Sequence, residues 1–183
     1  TRGFSFYSDA PLDMRMDPSL GVTAKDLINA LGPKELYDLF TTLAQEERAR
    51  AIAARIVSAR RQKPLETTSE LAQLVEAVYQ GRRGKLHPAT KVFQALRIAV
   101  NDELNALRSA LPQAFELLEP AGRLVLISFH EGEDRIVKNW LKQKQIEGEL
   151  NIVTKKPLIP TETELTNNPN SRSAKLRICQ KNP

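Results

Sequence analysis

Arg123-Leu-Val-Leu-Ile-Ser-Phe129 is the stretch that decides the fold. It is a continuous apolar run, closed upstream by Glu119-Pro-Ala-Gly122 and followed by the polar string Ser128-Phe-His130-Glu-Gly-Glu-Asp134-Arg135. Such a run marks a strand buried on both faces, as in a parallel sheet. Upstream, from Pro88 to about Leu118, Phe93, Leu96, Val100, Leu104, Leu107 and Leu111 recur three or four apart and predict one long helix. Downstream come a helix over about 132–144, a short strand at Leu150–Thr154, a proline-rich stretch with one helical turn, and a last strand near Ala174–Cys179. Helix, buried strand, helix, strand, strand is the second half of an α/β sheet. A covered parallel sheet needs neighbours on both sides of 123–129, and nothing upstream in the chain supplies one.

The amino-terminal part reads differently. Residues 1–22 combine Gly3, Pro11, Pro18 and Gly21 with Phe4, Phe6 and Tyr7 without any period, which predicts a structured loop. Thr23-Ala-Lys-Asp26 has the form of a capping box and opens a helix through Leu31. Pro33 starts a second helix carrying Leu36, Leu39, Phe40 and Leu43. A third over about 45–62 has the stripe Ala49, Ile52, Ala53, Ile56 and Val57, and Pro64 stops it. Thr67 or Thr68 caps a fourth, with Leu71, Leu74, Val75 and Val78, which Gly81-Arg-Arg-Gly84 ends. The expected division is a loop (1–22), a helical unit (23–86) and an α/β part (87–183).

Composition narrows the function. The 183 residues carry 27 Lys+Arg against 22 Asp+Glu, a net charge of +5 that leans towards a polyanionic partner. Apolar residues at 41 % mark a globular chain. A single cysteine, Cys179, excludes an internal disulfide framework and a cysteine-built zinc site and fits a reducing, cytoplasmic setting. No run approaches the ~20 apolar residues needed to cross a bilayer, so no membrane partner is expected. The opening Thr1-Arg-Gly-Phe-Ser-Phe6 reads as mid-protein sequence, and the chain is expected to be a fragment.

Three constellations could carry chemistry. Asp13, Arg15 and Asp17 alternate in a proline-bounded loop, either as a binding element or as a turn satisfied by its own ion pairs. Gln94, Arg97 and Asn101, after His87-Pro-Ala-Thr90, share a helix face suited to a planar base or a phosphate, or simply to solvent; His87 itself reads as a helix cap before a catalyst. Ser128 and His130 stand at the carboxyl end of the apolar strand, where ligands of open α/β sheets bind. Ser, His and Asp here do not make a hydrolase, because no Gly-x-Ser-x-Gly elbow is present. Two histidines without metal-ligand spacing predict no metal site. Basic residues cluster at 48–63 (Arg48, Arg50, Arg55, Arg60, Arg61, Lys63), at Arg82, Arg83 and Lys85, and at Arg172, Lys175 and Arg177, a plausible phosphate track or a solvated surface. No Gly-x-Gly-x-x-Gly and no Walker loop occurs.

Four strings in order carry a resemblance: Phe4-Ser-Phe…Pro11-Leu-Asp-Met-Arg-Met-Asp17, His87-Pro-Ala-Thr-Lys-Val-Phe-Gln-Ala-Leu-Arg-Ile-Ala-Val-Asn-Asp-Glu-Leu104, Ser128-Phe-His…Glu-Asp-Arg-Ile-Val-Lys138 and Asn168-Pro-Asn-Ser-Arg-Ser-Ala-Lys-Leu-Arg177. With them the chain resembles the MraW-type methyltransferases, which methylate the exocyclic N4 of a cytosine in 16S ribosomal RNA. The resemblance implies the carboxyl-terminal part of a Rossmann-like, seven-stranded, S-adenosylmethionine-dependent methyltransferase. Residues 23–86 would be its all-α insert, and the family's glycine-rich cofactor loop would precede Thr1. It also implies 16S rRNA of the small ribosomal subunit as partner, and leaves any homo-oligomer open. Asp13, Arg15, Asp17, Ser128 and His130 would then form the catalytic pocket. Arg48, Arg55, Arg60, Arg61, Arg82, Arg83, His87, Gln94, Arg97, Asn101, Arg172 and Lys175 would hold the RNA, with no cofactor-binding residue in this chain. The fragment alone would be inactive, and a non-catalytic RNA-binding module is the alternative. Two departures from the family pattern stand out: Ala10 replaces a usual Gly, and Glu131-Gly132 replaces a usual Ser-Leu.

Overall fold

The computed structural model describes residues 2–81 and 87–183. They form two compact units, one up to Glu103 and one from Leu104.

The first unit is built from α1 (Ala24–Ala30), α2 (Pro33–Ala44), α3 (Ala49–Arg60), α4 (Thr68–Tyr79) and α5 (Thr90–Asn101). The starts follow local chemistry. Thr23 Oγ1 accepts the Asp26 N–H while the Asp26 carboxylate accepts the Thr23 N–H, and Thr67 and Glu70 repeat the reciprocal cap on α4. Pro33 sits in the first turn of α2, where a missing N–H costs nothing. The apolar stripes converge on Ile28, Leu36, Phe40, Ile52, Ile56 and Leu71, all fully buried, with Val92 and Leu96 of α5 joining the same core. Because α5 packs on α1 and α2, the helical unit runs past the expected division at residue 86. The third helix starts at Ala49 rather than near 45, since Gln45 ends α2 in the left-handed region (φ 52°) and a turn precedes α3.

The expected long helix over 88–118 is two helices. α5 stops at Asn101, Asp102 turns left-handed (φ 49°), and α6 (Glu103–Glu116) begins at once. Aspartate enters that region more readily than most residues, and neither glycine nor proline marks the break in the sequence.

The second unit adds β1 (Arg123–Ser128), α7 (Glu131–Ile146), β2 (Leu150–Ile152), α8 (Glu162–Asn167), a 3-10 turn at Pro169–Ser173 and β3 (Lys175–Lys181). The sheet order is β1-β3-β2, and β3 is antiparallel to both neighbours. Leu124 and Leu126 pack with Val137 and Leu141 of α7 and Phe115 of α6, beside the buried Cys179. The opposite face differs from expectation: Val125 is 53 % and Ile127 56 % exposed, so β1 is buried on one face only. No described element covers that face, and the edge of β1 away from β3 has no strand partner among the described residues. No helix among the described residues is long and apolar enough to cross a membrane.

Candidate functional site

In the first unit, the loop from Ala10 to Asp17 is held as firmly as a strand. Leu12 and Met14 are buried and alternate with the partly exposed Asp13 and Arg15, so a period of two drives one face into the helical core. Backbone bonds anchor it on three sides: Leu12 N–H to the Glu66 carbonyl (2.9 Å), Ala24 N–H to the Asp13 carbonyl (2.9 Å), and Met14 N–H to the Arg2 carbonyl (2.7 Å). Gly3 (φ 71°) lies so close beneath that a Cβ there would sit 2.2 Å from the Pro11 carbonyl oxygen. Met14 itself is left-handed (φ 62°), a conformation kept only because its surroundings over-determine it.

The outward side chains organise the loop. The Arg15 guanidinium grips Asp13 with two bonds (2.7 and 2.9 Å) and donates to the carbonyls of Pro18 (3.0 Å) and Leu20 (2.7 Å). Arg15 holds the Asp13 carboxyl below the usual carboxylate range. Asp13 and Arg15 thus satisfy each other, which is the self-paired turn the sequence left open. Asp17, exposed, accepts the Ser19 N–H (2.8 Å).

Of the predicted α5 face, Asn101 reaches this loop. Its Oδ1 accepts the Met16 N–H (2.6 Å) and its Nδ2 donates to the Met14 carbonyl (2.8 Å). Arg97 is instead turned to Glu103, with bonds of 2.7 and 2.9 Å, and Gln94 is partly buried. His87 is a local brace: Nδ1 accepts the Ala89 N–H (3.2 Å), Nε2 lies 2.6 Å from Glu76 Oε1, and the ring stacks on Phe6 at 4.3 Å.

The arginines of the helical unit separate into two kinds. Arg48 donates to the Val78 carbonyl (2.8 Å) at the end of α4 and lies over the Tyr79 ring. Arg60 donates to the Ile28 carbonyl in the last turn of α1. These two satisfy helix-end carbonyls that have no partner within their own helices, so the fold uses charges that the sequence reading gave to RNA. Arg55 and Arg61 are exposed and make no ion pair among the described residues. Arg82 and Arg83 lie outside the described residues.

In the second unit, Ser128 is buried at the carboxyl end of β1, opposite Lys175 in register. His130 is the N-cap of α7: its Nδ1 accepts the Glu133 N–H (3.3 Å), and Glu133 Oε2 accepts the Phe129 N–H (2.8 Å). Lys175 donates to Glu131 (2.8 Å) and faces Asp134 (3.4 Å), while Arg177 grips Asp134 from within (2.7 and 3.0 Å). Arg177 above all, then Lys175, keeps the Asp134 carboxyl below its ordinary range. Glu131 and Asp134 therefore share Lys175. Arg172 is exposed in the 3-10 turn.

Two features escaped the sequence reading. One is the buried Asp134–Arg177 pair, since nothing in a linear string says that residues 43 apart will meet. The other is a group of four lysines, Lys138, Lys142, Lys155 and Lys156, around one depression. Its signal was the four-residue step on α7 and the Lys-Lys doublet, divided between two elements.

Comparison with known proteins follows the same outline. A family model described as the MraW methylase family matches residues 1–182. The chain is 51 % identical over 180 residues to a protein of Coprothermobacter proteolyticus named ribosomal RNA small subunit methyltransferase H, covering 98 % of the chain and 60 % of that relative. Proteins of the same name from Picosynechococcus (50 % over 181 residues) and Thermomicrobium roseum (46 % over 195 residues) match with the same shares. The chain spans about three fifths of the length of the curated relatives it matches.

Proposed function

The chain belongs to the MraW methylase family, and from that premise we propose that it is the RNA-holding, sheet-closing part of an enzyme that methylates the exocyclic N4 of a cytosine in 16S rRNA, with S-adenosylmethionine as methyl donor. The names of the relatives support an rRNA substrate. The uncovered apolar face and unpaired edge of β1 support a sheet that continues beyond the described strands, as in a seven-stranded methyltransferase with residues 23–86 as a helical insert.

The residues present do not fit the donor. The turn from β1 into α7 has no glycine-rich cradle, and the first turn of α7 carries Glu131, Glu133 and Asp134 rather than open backbone N–H groups. No donor contact is therefore assigned to this chain.

Methylation of an amine asks two things of the residues that hold the base: a fixed position and an acceptor for the amine proton. A stacked cytosine must also leave its stack to be reached. The observation that carries the proposal is the loop at Ala10–Asp17, clamped by Asn101, braced by the Arg15–Asp13 fork and kept in a strained backbone conformation at Met14. We assign Asp17 and the rim of that loop to the base, Asn101 to positioning the loop, and Arg55 and Arg61 to RNA phosphates. Ser128 and His130 line the strand end, where α/β sheets receive ligands.

The test is transfer of labelled methyl from S-adenosylmethionine to small-subunit rRNA by the protein that contains this chain, followed by nucleoside analysis. Label in N4-methylated cytidine is the expected result; label on another atom or another RNA overturns the reading. Calorimetry with the donor separates it from a non-catalytic RNA-binding module, which would bind RNA and take up no donor.

A further inference from the structure

We propose that the depression between α7 and the segment after β2 binds a backbone phosphate of the RNA, at a place separate from the base-holding loop. The proposal rests on the rRNA reading above and adds a second RNA-binding place, in the second unit.

The depression is open and measures about 330 Å³. Lys138 and Lys142 line it from α7, Lys155 and Lys156 from the chain after β2, and Thr154 and Arg177 lie between. All four lysines are exposed, and none has an ion-pair partner among the described residues. Lys138 and Lys142 are one helical turn apart and Lys155 and Lys156 are adjacent, arrangements in which like charges repel. The other lysines of this unit's ion pairs, Lys144 and Lys175, sit against glutamates. Arg177, which also lines the depression, is paired with Asp134, which Lys175 shares. Among the described residues, none of these four charges is neutralised by an ion pair.

An anion would neutralise them. Thr154 Oγ1, in the lining, accepts the Ile178 N–H (2.9 Å) and keeps its own O–H as a donor. Lysine ammonium groups are flexible point charges that suit a phosphate held for its charge rather than read for its sequence. β1 and β2 both run antiparallel to β3, and Lys155 and Lys156 lie in a short excursion between the Ile152–Cys179 and Leu158–Leu176 pairings, on the way towards the end of the sheet that bears Ser128.

The test measures fluorescence anisotropy of a fluorescein-labelled single-stranded RNA with the chain over a salt series, comparing the unsubstituted chain with K138Q/K142Q/K155Q/K156Q and with K155E/K156E. The substitutions are on the surface, and superimposable thermal melts will confirm intact folding. The expected result is binding weakened at least ~10-fold at low salt, with the slope of log K against log salt shallower by about 0.7 for each phosphate no longer neutralised. Equal affinity and slope would overturn the proposal and leave the methyltransferase reading standing. Absence of RNA binding by the unsubstituted chain would also overturn the proposal, while the methyltransferase reading is decided separately by methyl transfer in the protein that contains the chain. A parallel titration with inorganic phosphate distinguishes the sources of anion: saturation that RNA cannot compete away makes this a small-anion site and also overturns the proposal.

Discussion

Asp134 in α7 and Arg177 in β3 meet as a buried, two-bond ion pair, with N–O distances of 2.7 and 3.0 Å. The pair ties the helix to the middle strand of the sheet on the face that carries the core. Removing one partner strands the other charge in the interior, so Asp134→Asn should cost about 3–5 kcal/mol, whereas D134L/R177M together should cost far less. Chemical denaturation of the two variants beside the unsubstituted protein checks this. The pair also sets an acid limit. Arg177 holds the Asp134 carboxyl below its ordinary range, so its ionised form stabilises the fold at neutral pH and that contribution disappears as pH falls through the carboxylate range. The melting temperature should drop in acid more steeply for the unsubstituted protein than for Asp134→Asn.

Asn101→Ala removes the clamp on the loop at Ala10–Asp17, breaking bonds to Met14 and Met16 across more than eighty residues of sequence. Two tertiary hydrogen bonds at about 1 kcal/mol each put the loss near ~2 kcal/mol. The loop should also become open to trypsin at Arg15, which the native fork to Asp13 protects. A cleavage rate at Arg15 unchanged by the substitution would refute the clamp.

The arginines give a sorting experiment. Arg55→Glu with Arg61→Glu should leave the melting temperature unchanged while weakening RNA binding and flattening its salt dependence. Arg48→Ala and Arg60→Ala should instead lower stability, because each leaves a helix-end carbonyl without its donor. Thermal melts and anisotropy on the same variants separate the two groups.

Much of this was legible in the sequence where local chemistry decides structure. Thr23 with Asp26 announced one helix and a threonine at 67 or 68 another, because a cap is set by a few neighbouring residues; that Thr67 is the cap and Glu70 its reciprocal partner came from the structure. The break at Asp102 was not legible, since the apolar period from Phe93 to Leu111 runs through it and a left-handed aspartate carries no composition signal. Arg123–Phe129 has the composition of a strand covered on both sides, yet the covering elements are not among those described, so Val125 and Ile127 stand exposed. The structure places Asp13, Arg15 and Asp17 in a loop and Gln94, Arg97 and Asn101 on one helix, but their partners were not legible. Arg97 faces Glu103 and Arg60 faces Ile28, and only tertiary packing decides such pairings.

Gln45 offers a stability test free of function. It ends α2 in the left-handed region (φ 52°), is exposed, and bonds through its backbone: its N–H reaches Thr41, and its carbonyl accepts Lys91 Nζ. Glycine adopts that conformation without the Cβ clash, so Gln45→Gly should stabilise by about 1 kcal/mol, seen as a rise in melting temperature. A fall would mean that the side chain makes a contact absent from this structure.

His130 can be tested as cap and as site residue separately. Its imidazole accepts the Glu133 N–H at the start of α7, the position where asparagine is among the best replacements. His130→Ala should lose about 1 kcal/mol of stability through the missing cap, and His130→Asn should recover most of it. Methyl transfer then decides the role. If His130→Asn restores both stability and rRNA methylation, the ring serves α7 alone. If stability returns and methylation does not, the imidazole itself touches the reacting base, and the assignment of the strand end to the pocket stands.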